Sequence, residues 1–235
     1  SVSNQTTKTI TNRVLLMKFL SEFVLIFPLY TIMLGERSGI SAAQIGVLLA
    51  AGFVLSVVFE IPTGVLGDKI PRKYVLTLSL LSRLGSLAFW LFMPTFVGYF
   101  IGAGLFALGV AFESGALQAY LYGVLGASQK QRLGTFWSRV SALIMVSYTL
   151  AYGLASLIGV QYELLLGISI VAVLLALLVC LTLPTDKLVK TKHKQRILSS
   201  AFKHILESRA LLGLLLNSLL IIAISELLIE YGGLY

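Results

Sequence analysis

Four ionisable residues, Glu22, Arg83, Glu113 and Arg139, interrupt long apolar runs of this chain. An ionised side chain at the centre of a membrane costs at least ~2.5 kcal/mol on insertion scales, so one that persists there is paired or functional. A carboxylate beside an arginine in a watery cavity can bind a solute or exchange a proton as water access changes. The same residues also allow an inert arrangement. Arg83 can neutralise Glu113 in a buried pair, and Lys18 can neutralise Glu22 one helical turn along. The sequence leaves both open.

These residues must be positioned by apolar segments of about 20 residues or more, the length that crosses a hydrocarbon core. Seven can be marked: 14–34, 42–61, 74–93, 96–122, 133–159, 162–183 and 210–231. Only the connection over 184–209 is long, so sequential helices are expected as antiparallel neighbours. At ~1.5 Å per residue, Arg83 and Glu113 lie ~14 Å and Glu22 ~12 Å from one membrane face. In a core ~30 Å thick all three fall near the midplane. Arg139 is shallower at ~9 Å, and Lys18, at ~6 Å, is expected to snorkel to the interface. Glu226 lies toward the opposite face, and Glu60 belongs with the loop after the second span. Pro28 is expected to bend the first span. Gly98 and Gly102 suit close packing of the fourth. Tyr30, Trp90, Tyr99, Trp137 and Tyr148 suit either a cavity wall or interface and packing positions.

Composition excludes several classes. The chain is 57% hydrophobic and 12% charged, against about 45–50% and about 25% for a soluble domain. Its mean hydropathy of +0.93 agrees. The net charge of +8 would suggest nucleic acid in a soluble protein, but these cations lie between apolar spans and mark membrane orientation instead. Cys180 is the single cysteine, so no disulfide can form within the chain. His193 and His204 both lie in the basic connection, which leaves no histidine at membrane depth for haem or a metal, and no cofactor is expected. The spans hold no carboxylate pair at metal-binding spacing and no Gly-x-Ser-x-Gly elbow, which argues against an enzyme. The first apolar stretch has no small-residue cleavage site and is too long for a signal-peptide core.

The basic residues orient the chain. Lys8 and Arg13, then Lys69, Arg72 and Lys73, then Lys130 and Arg132 fall in one set of loops. The same set ends with Lys187, Lys190, Lys192, Lys194, Arg196, Lys203 and Arg209, while the opposite loops hold only Arg37. By the positive-inside rule the N-terminus and the long connection are cytoplasmic, as expected of a multi-pass protein of the cell membrane. In that connection Ile197, Leu198, Ala201, Phe202, Ile205 and Leu206 recur at helical spacing, as in an amphipathic interfacial helix.

The loop after the second span reads Gly64-Val-Leu-Gly-Asp68-Lys69-Ile-Pro-Arg72-Lys73, preceded by Glu60-Ile-Pro62-Thr. This run resembles the signature of the major facilitator superfamily, Gly-x-x-x-Asp-Arg/Lys-x-Gly-Arg/Lys-Arg/Lys, in the loop position where that family carries it. The resemblance implies a gate: Asp68 accepting from a helix N-terminus of a second half, and Arg72 paired with a nearby acid. Without it, the run is a solvated basic turn that fixes topology. The pattern departs from the family at Pro71, which stands where a glycine is usual and cannot take a left-handed turn. It departs again at Leu105, where an arginine is frequent, and at Gly123, near the place of an acid after Ser114-Gly-Ala-Leu-Gln118-Ala-Tyr-Leu. The fifth span lacks the Gly-Pro signature of drug antiporters.

The expectation is therefore an all-α membrane protein, a polytopic helical bundle like the N-terminal half of that family with an additional helix. Residues 1–183 form a six-helix half, 184–209 a cytoplasmic connection, and 210–235 a seventh helix opening a second half that the chain lacks. A chain ending there, without an initial Met, is expected to be an incomplete transporter. The implied activity is secondary transport of a small solute by alternating access, for efflux or uptake, with protons as a candidate coupling ion. The partners implied are the lipid bilayer, the solute and the missing half, with no nucleic acid. The alternative is a seven-helix receptor or sensor, against which stand the cytoplasmic N-terminus and a seventh span without lysine.

Overall fold

Each apolar run folds as helix, because backbone N–H and C=O groups in lipid can be satisfied only within the segment itself. The computed structural model describes residues 2–125 and 130–186. In chain order these form α1 (Val2–Glu22), a 3-10 turn (Phe27–Leu29), α2 (Tyr30–Ser38), α3 (Ala42–Gly67), α4 (Arg72–Phe92), α5 (Phe96–Leu125), α6 (Lys130–Ile158) and α7 (Tyr162–Leu181). Among the described residues six helical stretches are long and apolar enough to cross a membrane, the first being α1 and α2 together over Lys8–Ser38. No strand occurs among the described residues. The chain is an all-α, polytopic membrane bundle. The expected seventh span, and the connection beyond 186 with its amphipathic helix, lie outside the described residues.

Polarity is inverted relative to a soluble protein. Lys18, Glu22 and Arg83 are buried together with Ser79, Ser86, Ser147 and Ser169, while Val54, Val58, Met145, Leu157 and Leu175 are exposed. Lipid tails solvate such an exterior, and buried polar groups then need partners inside the bundle. Helix α4 packs on α5 and α7, α5 packs on α3 as well, and α1 packs on α6 and α7. The α4–α5 seam is tight because α5 presents glycine there. A Cβ on Gly102 would fall 2.2 Å from Trp90 Nε1, and one on Gly109 would fall 3.0 Å from the Ser79 carbonyl oxygen. Close packing is thus the role of Gly102, as its spacing predicts.

Two boundaries differ from the sequence reading. Helix α3, begun by a capping box between Ser41 and Gln44, continues through Pro62 to Gly67. Beside the proline, the Thr63 hydroxyl lies 2.7 Å from Phe59 O and 3.2 Å from Ala111 O of α5, and either carbonyl can accept its one proton. Gly64 is consequently helical, and only Asp68 to Pro71 form the turn. At the other boundary, α1 starts at Val2 rather than near Val14. Lys18 is therefore deep within a helix and buried, not a snorkelling residue at its end.

Candidate functional site

Side chains from α1, α4, α5 and α6 converge on one buried cluster. Lys18 and Glu22 share a face of α1, one turn apart, and pair at 2.5 Å between Nζ and Oε1. Lys18 also pairs with Glu113 Oε1 from α5. Arg83 on α4 completes a ring, reaching Glu22 Oε1 with Nη1 at 3.2 Å and Glu113 Oε2 with Nη2 at 2.9 Å. The hydroxyl of Tyr148 on α6 donates to Glu22 Oε2 at 2.9 Å, and the Phe106 ring lies 5.4 Å below the guanidinium carbon. Two cations and two carboxylates alternate, so the cluster is neutral as a whole. Each carboxylate touches both cations, and the arginine fork serves both acids, which a point-charge ammonium could not do with the same geometry.

The first span is broken beside this ring. Pro28 lacks an N–H and its ring crowds the carbonyl of Val24, so regular helix cannot run through it. The break starts earlier than a simple proline bend, directly after Glu22. It releases the Phe19 and Ser21 carbonyls and the Leu25 amide, which regular helix would pair as 19–23 and 21–25. Each has a substitute from another helix. Ser147 on α6 donates to Phe19 O at 2.8 Å, Arg83 Nη1 donates to Ser21 O at 3.1 Å, and Leu25 N–H donates to Ser169 Oγ on α7 at 2.9 Å. Discontinuous helices of this kind line the solute and ion sites of membrane transporters. Beyond the break, α2 is fixed at the opposite end: Arg37 donates to Trp90 O and Leu91 O at 2.8 and 2.9 Å, and Tyr162 Oη donates to Glu36 at 2.5 Å.

Of the sequence candidates, Glu22, Arg83 and Glu113 are brought together, and Arg139 is not. Arg139 is exposed on α6, away from the ring. Lys18 and Tyr148 join the ring, and Ser147 and Ser169 meet the backbone groups freed beside it. The spacing of Lys18 to Glu22 announced their pairing, whereas nothing in the sequence marks which serines would meet a freed carbonyl.

The loop residues Gly64, Asp68, Lys69, Arg72 and Lys73 stand at the end of the bundle where α3 meets α4. Arg72 folds back on the preceding turn, donating to Gly67 O and, through Nη2, to Asp68 Oδ1 at 2.8 Å. Gly67 leaves room for this, since a Cβ there would lie 2.7 Å from Arg72 Nη1 at the end of that flexible side chain. Pro71 serves as the N-cap residue of α4 in extended conformation, φ −54° and ψ 138°, so the turn is made without a left-handed residue. The acid sought near Gly123 comes from elsewhere. Asp186, held near α5 by the Tyr120 hydroxyl on Pro184 O at 2.9 Å, accepts the Arg72 and Lys73 amides at 3.1 Å each. Lys73 Nζ donates to Leu181 O at 2.7 Å, at the C-terminal turn of α7.

A family model described as Major Facilitator Superfamily matches residues 14–235. The chain belongs to the major facilitator superfamily. It is also 35% identical over 88 residues to the uncharacterized MFS-type transporter YfkF of Bacillus subtilis strain 168, a match covering 37% of this chain and 21% of that relative. The chain thus aligns with about a fifth of that relative's length. Membership of the superfamily does not favour the receptor or sensor reading.

Proposed function

We propose that the chain is the first half, with one further helix, of a secondary transporter that moves a small solute by alternating access. Residues 1–183 supply a six-helix half, 184–209 its connection to a second half, and 210–235 the first helix of that half. Its N-terminus is cytoplasmic in the cell membrane, following the basic loops. The observation that carries the proposal is the neutral ring of Lys18, Glu22, Arg83 and Glu113 beside a broken first span. A buried ionic ring adds little stability over apolar packing of similar volume. Its place beside a broken helix suits a device that opens.

The chemistry is proton exchange at Glu22 or Glu113. Protonating either carboxylate removes one negative charge and leaves a cation partly unpaired, ready for a solute or for a shift of α1 against α4 and α5. The loop of Gly64, Asp68, Lys69, Arg72 and Lys73 serves as the gate toward the second half. Gly64 suits this role, since a Cβ there would touch nothing within 4 Å among the described residues. Arg139, exposed at membrane depth, is a further candidate facing the central cavity. The test is solute flux into proteoliposomes holding the complete transporter and a trapped pH dye. Glu22→Gln and Glu113→Gln should each abolish pH-dependent flux, and wild-type pH dependence in both variants would reject the proton role.

A further inference from the structure

The carboxylate oxygens of the buried ring are not equivalent. Glu22 Oε1 faces Lys18 Nζ and Arg83 Nη1, Glu113 Oε1 faces Lys18 Nζ, and Glu113 Oε2 faces Arg83 Nη2. Glu22 Oε2 touches no cation among the described residues, and its partner is the Tyr148 hydroxyl, which donates at 2.9 Å. Ammonium and guanidinium groups can only donate, whereas a phenol hydroxyl donates or accepts. A proton on either oxygen of Glu113 would therefore sit on an atom already held by a positively charged donor. A proton on Glu22 Oε2 has an acceptor at hand, because the Tyr148 hydroxyl can turn about its C–O bond and receive it.

The helices packed around Glu22 bring no further charge to this oxygen. Arg83 comes from α4, Glu113 from α5, and Lys18 from one turn earlier in α1. From α7 the polar group at this level is Ser169, bonded to the Leu25 amide, and from α6 Ser147 holds Phe19 O beside Tyr148. Lys18, Glu22 and Arg83 are buried. Tyr148 is only partly so, its α6 neighbours Thr149 and Tyr152 are exposed, and the Tyr152 ring stacks on it at 5.9 Å. Glu22 thus meets the outside of the described bundle through a tyrosine. A proton needs no cavity there, since a hydroxyl can take one proton as it gives up another.

We propose that Tyr148 is the proton relay of the ring and that Glu22 Oε2 carries the proton, with Glu113 remaining ionised as the fixed counter-ion of Lys18 and Arg83. In the step, a hydronium ion on the outer side gives its proton to Tyr148 Oη as the old tyrosine O–H bond breaks. The released proton bonds to Glu22 Oε2, the hydronium becomes water, and the tyrosine stays neutral. Its new O–H points outward, its oxygen accepts from the Glu22 acid, and the ring gains one positive charge. This role rests on the transporter reading above and selects between its two carboxylates.

Infrared difference spectra of the complete purified transporter between high and low pH test it. The wild type should show the C=O stretch of a newly protonated carboxylic acid together with a change in a tyrosine C–O stretch. Tyr148→Phe keeps the aromatic packing. It should remove the tyrosine change and move the carboxylic band to higher wavenumber through loss of its hydrogen bond, while Glu22→Gln should remove both signals. A band without a tyrosine change, unmoved in Tyr148→Phe or kept in Glu22→Gln, would overturn the assignment. Thermal midpoints give a readout independent of pH. Glu22→Gln can turn its NH2 to Tyr148 Oη and leave its oxygen to the cations, whereas Glu113→Gln must set NH2 against Lys18 or Arg83. The midpoint should fall further in Glu113→Gln, and an equal or opposite order would show that Tyr148 is no acceptor. A wild type that moves solute with no carboxylic band would reject the proton role and the relay with it, and keep the transporter. Both signals in a protein that moves no solute would do the reverse.

Discussion

Asp186 occupies the corner that a side chain on Gly123 would reach: a Cβ built on Gly123 lies 3.9 Å from the Cβ of Asp186. Where the family pattern places an acid at the end of the fourth span, this chain brings one from just past the end of α7. The carboxylate then receives the first two amides of α4, groups that no intrahelical partner can satisfy. Pro71, the N-cap residue, has no side-chain acceptor to offer.

Removing that carboxylate should therefore act as loss of a helix cap. Asp186→Ala is expected to lower stability by about 0.5–2 kcal/mol, read as a drop in thermal midpoint of the purified chain in detergent. Gly123→Asp alone should also destabilise, since it sets a second carboxylate beside the first. In the Asp186→Ala background the same substitution should recover part of the loss. A double variant no better than Asp186→Ala would show that the two positions do not share the role.

The charge ring makes a sharper case. Arg83→Met leaves two carboxylates with Lys18 as their one cation among the described residues, and breaking a buried ionic group in this way costs about 3–5 kcal/mol. Arg83→Lys should rescue little of it, because one ammonium cannot span Glu22, Glu113 and the Ser21 carbonyl at once. Combining Arg83→Met with Glu113→Gln should cost less than the sum of the single changes, since the pair is removed together. Thermal unfolding of the four proteins decides this, and strict additivity would mean that the pairing contributes nothing.

Much of this arrangement was legible in the residues. Charges in apolar runs located Glu22, Arg83 and Glu113 near one depth, and a common depth is what lets three helices bring them together. Depth does not give azimuth, and Arg139 shows the consequence. It lies within reach in depth but is exposed on α6, because only the packing of α6 on α1 decides which of its faces turns inward. Lys18 failed for a different reason: the polar stretch before Val14 looked like a solvated end, yet it continues the helix and carries Lys18 inside. Asp186 stayed hidden because its contact with α4 joins residues far apart in the chain.

The break in the first span should be visible in hydrogen exchange. Among the described residues the Leu25 amide has Ser169 Oγ as its acceptor, and the Phe19 carbonyl freed by the break is met by Ser147. Ser169→Ala should raise exchange at Leu25 and its immediate neighbours while leaving the middle of α4 unchanged. The group left unsatisfied costs about 1–3 kcal/mol, which corresponds to roughly 5- to 150-fold faster exchange if that opening is local. Exchange that rises equally across all helices would instead indicate global loosening.

The glycines of α5 separate packing from propensity. At Gly102 an added methyl would stand 2.2 Å from Trp90 Nε1 and 2.5 Å from its Cδ1. Neither the indole, pinned between Tyr30 and Phe106, nor the Ser86 carbonyl at 3.2 Å can retreat cheaply. Gly102→Ala is thus expected to cost about 1–3 kcal/mol, the range for overpacking a filled core. At Gly115, on the same helix, an added Cβ meets nothing within 4 Å among the described residues. Gly115→Ala should leave stability unchanged or raise it by up to about 1 kcal/mol through helix propensity. Thermal midpoints of the two variants should move in opposite directions or differ widely. Equal shifts would mean that α4 and α5 are not held together at the Trp90–Gly102 contact.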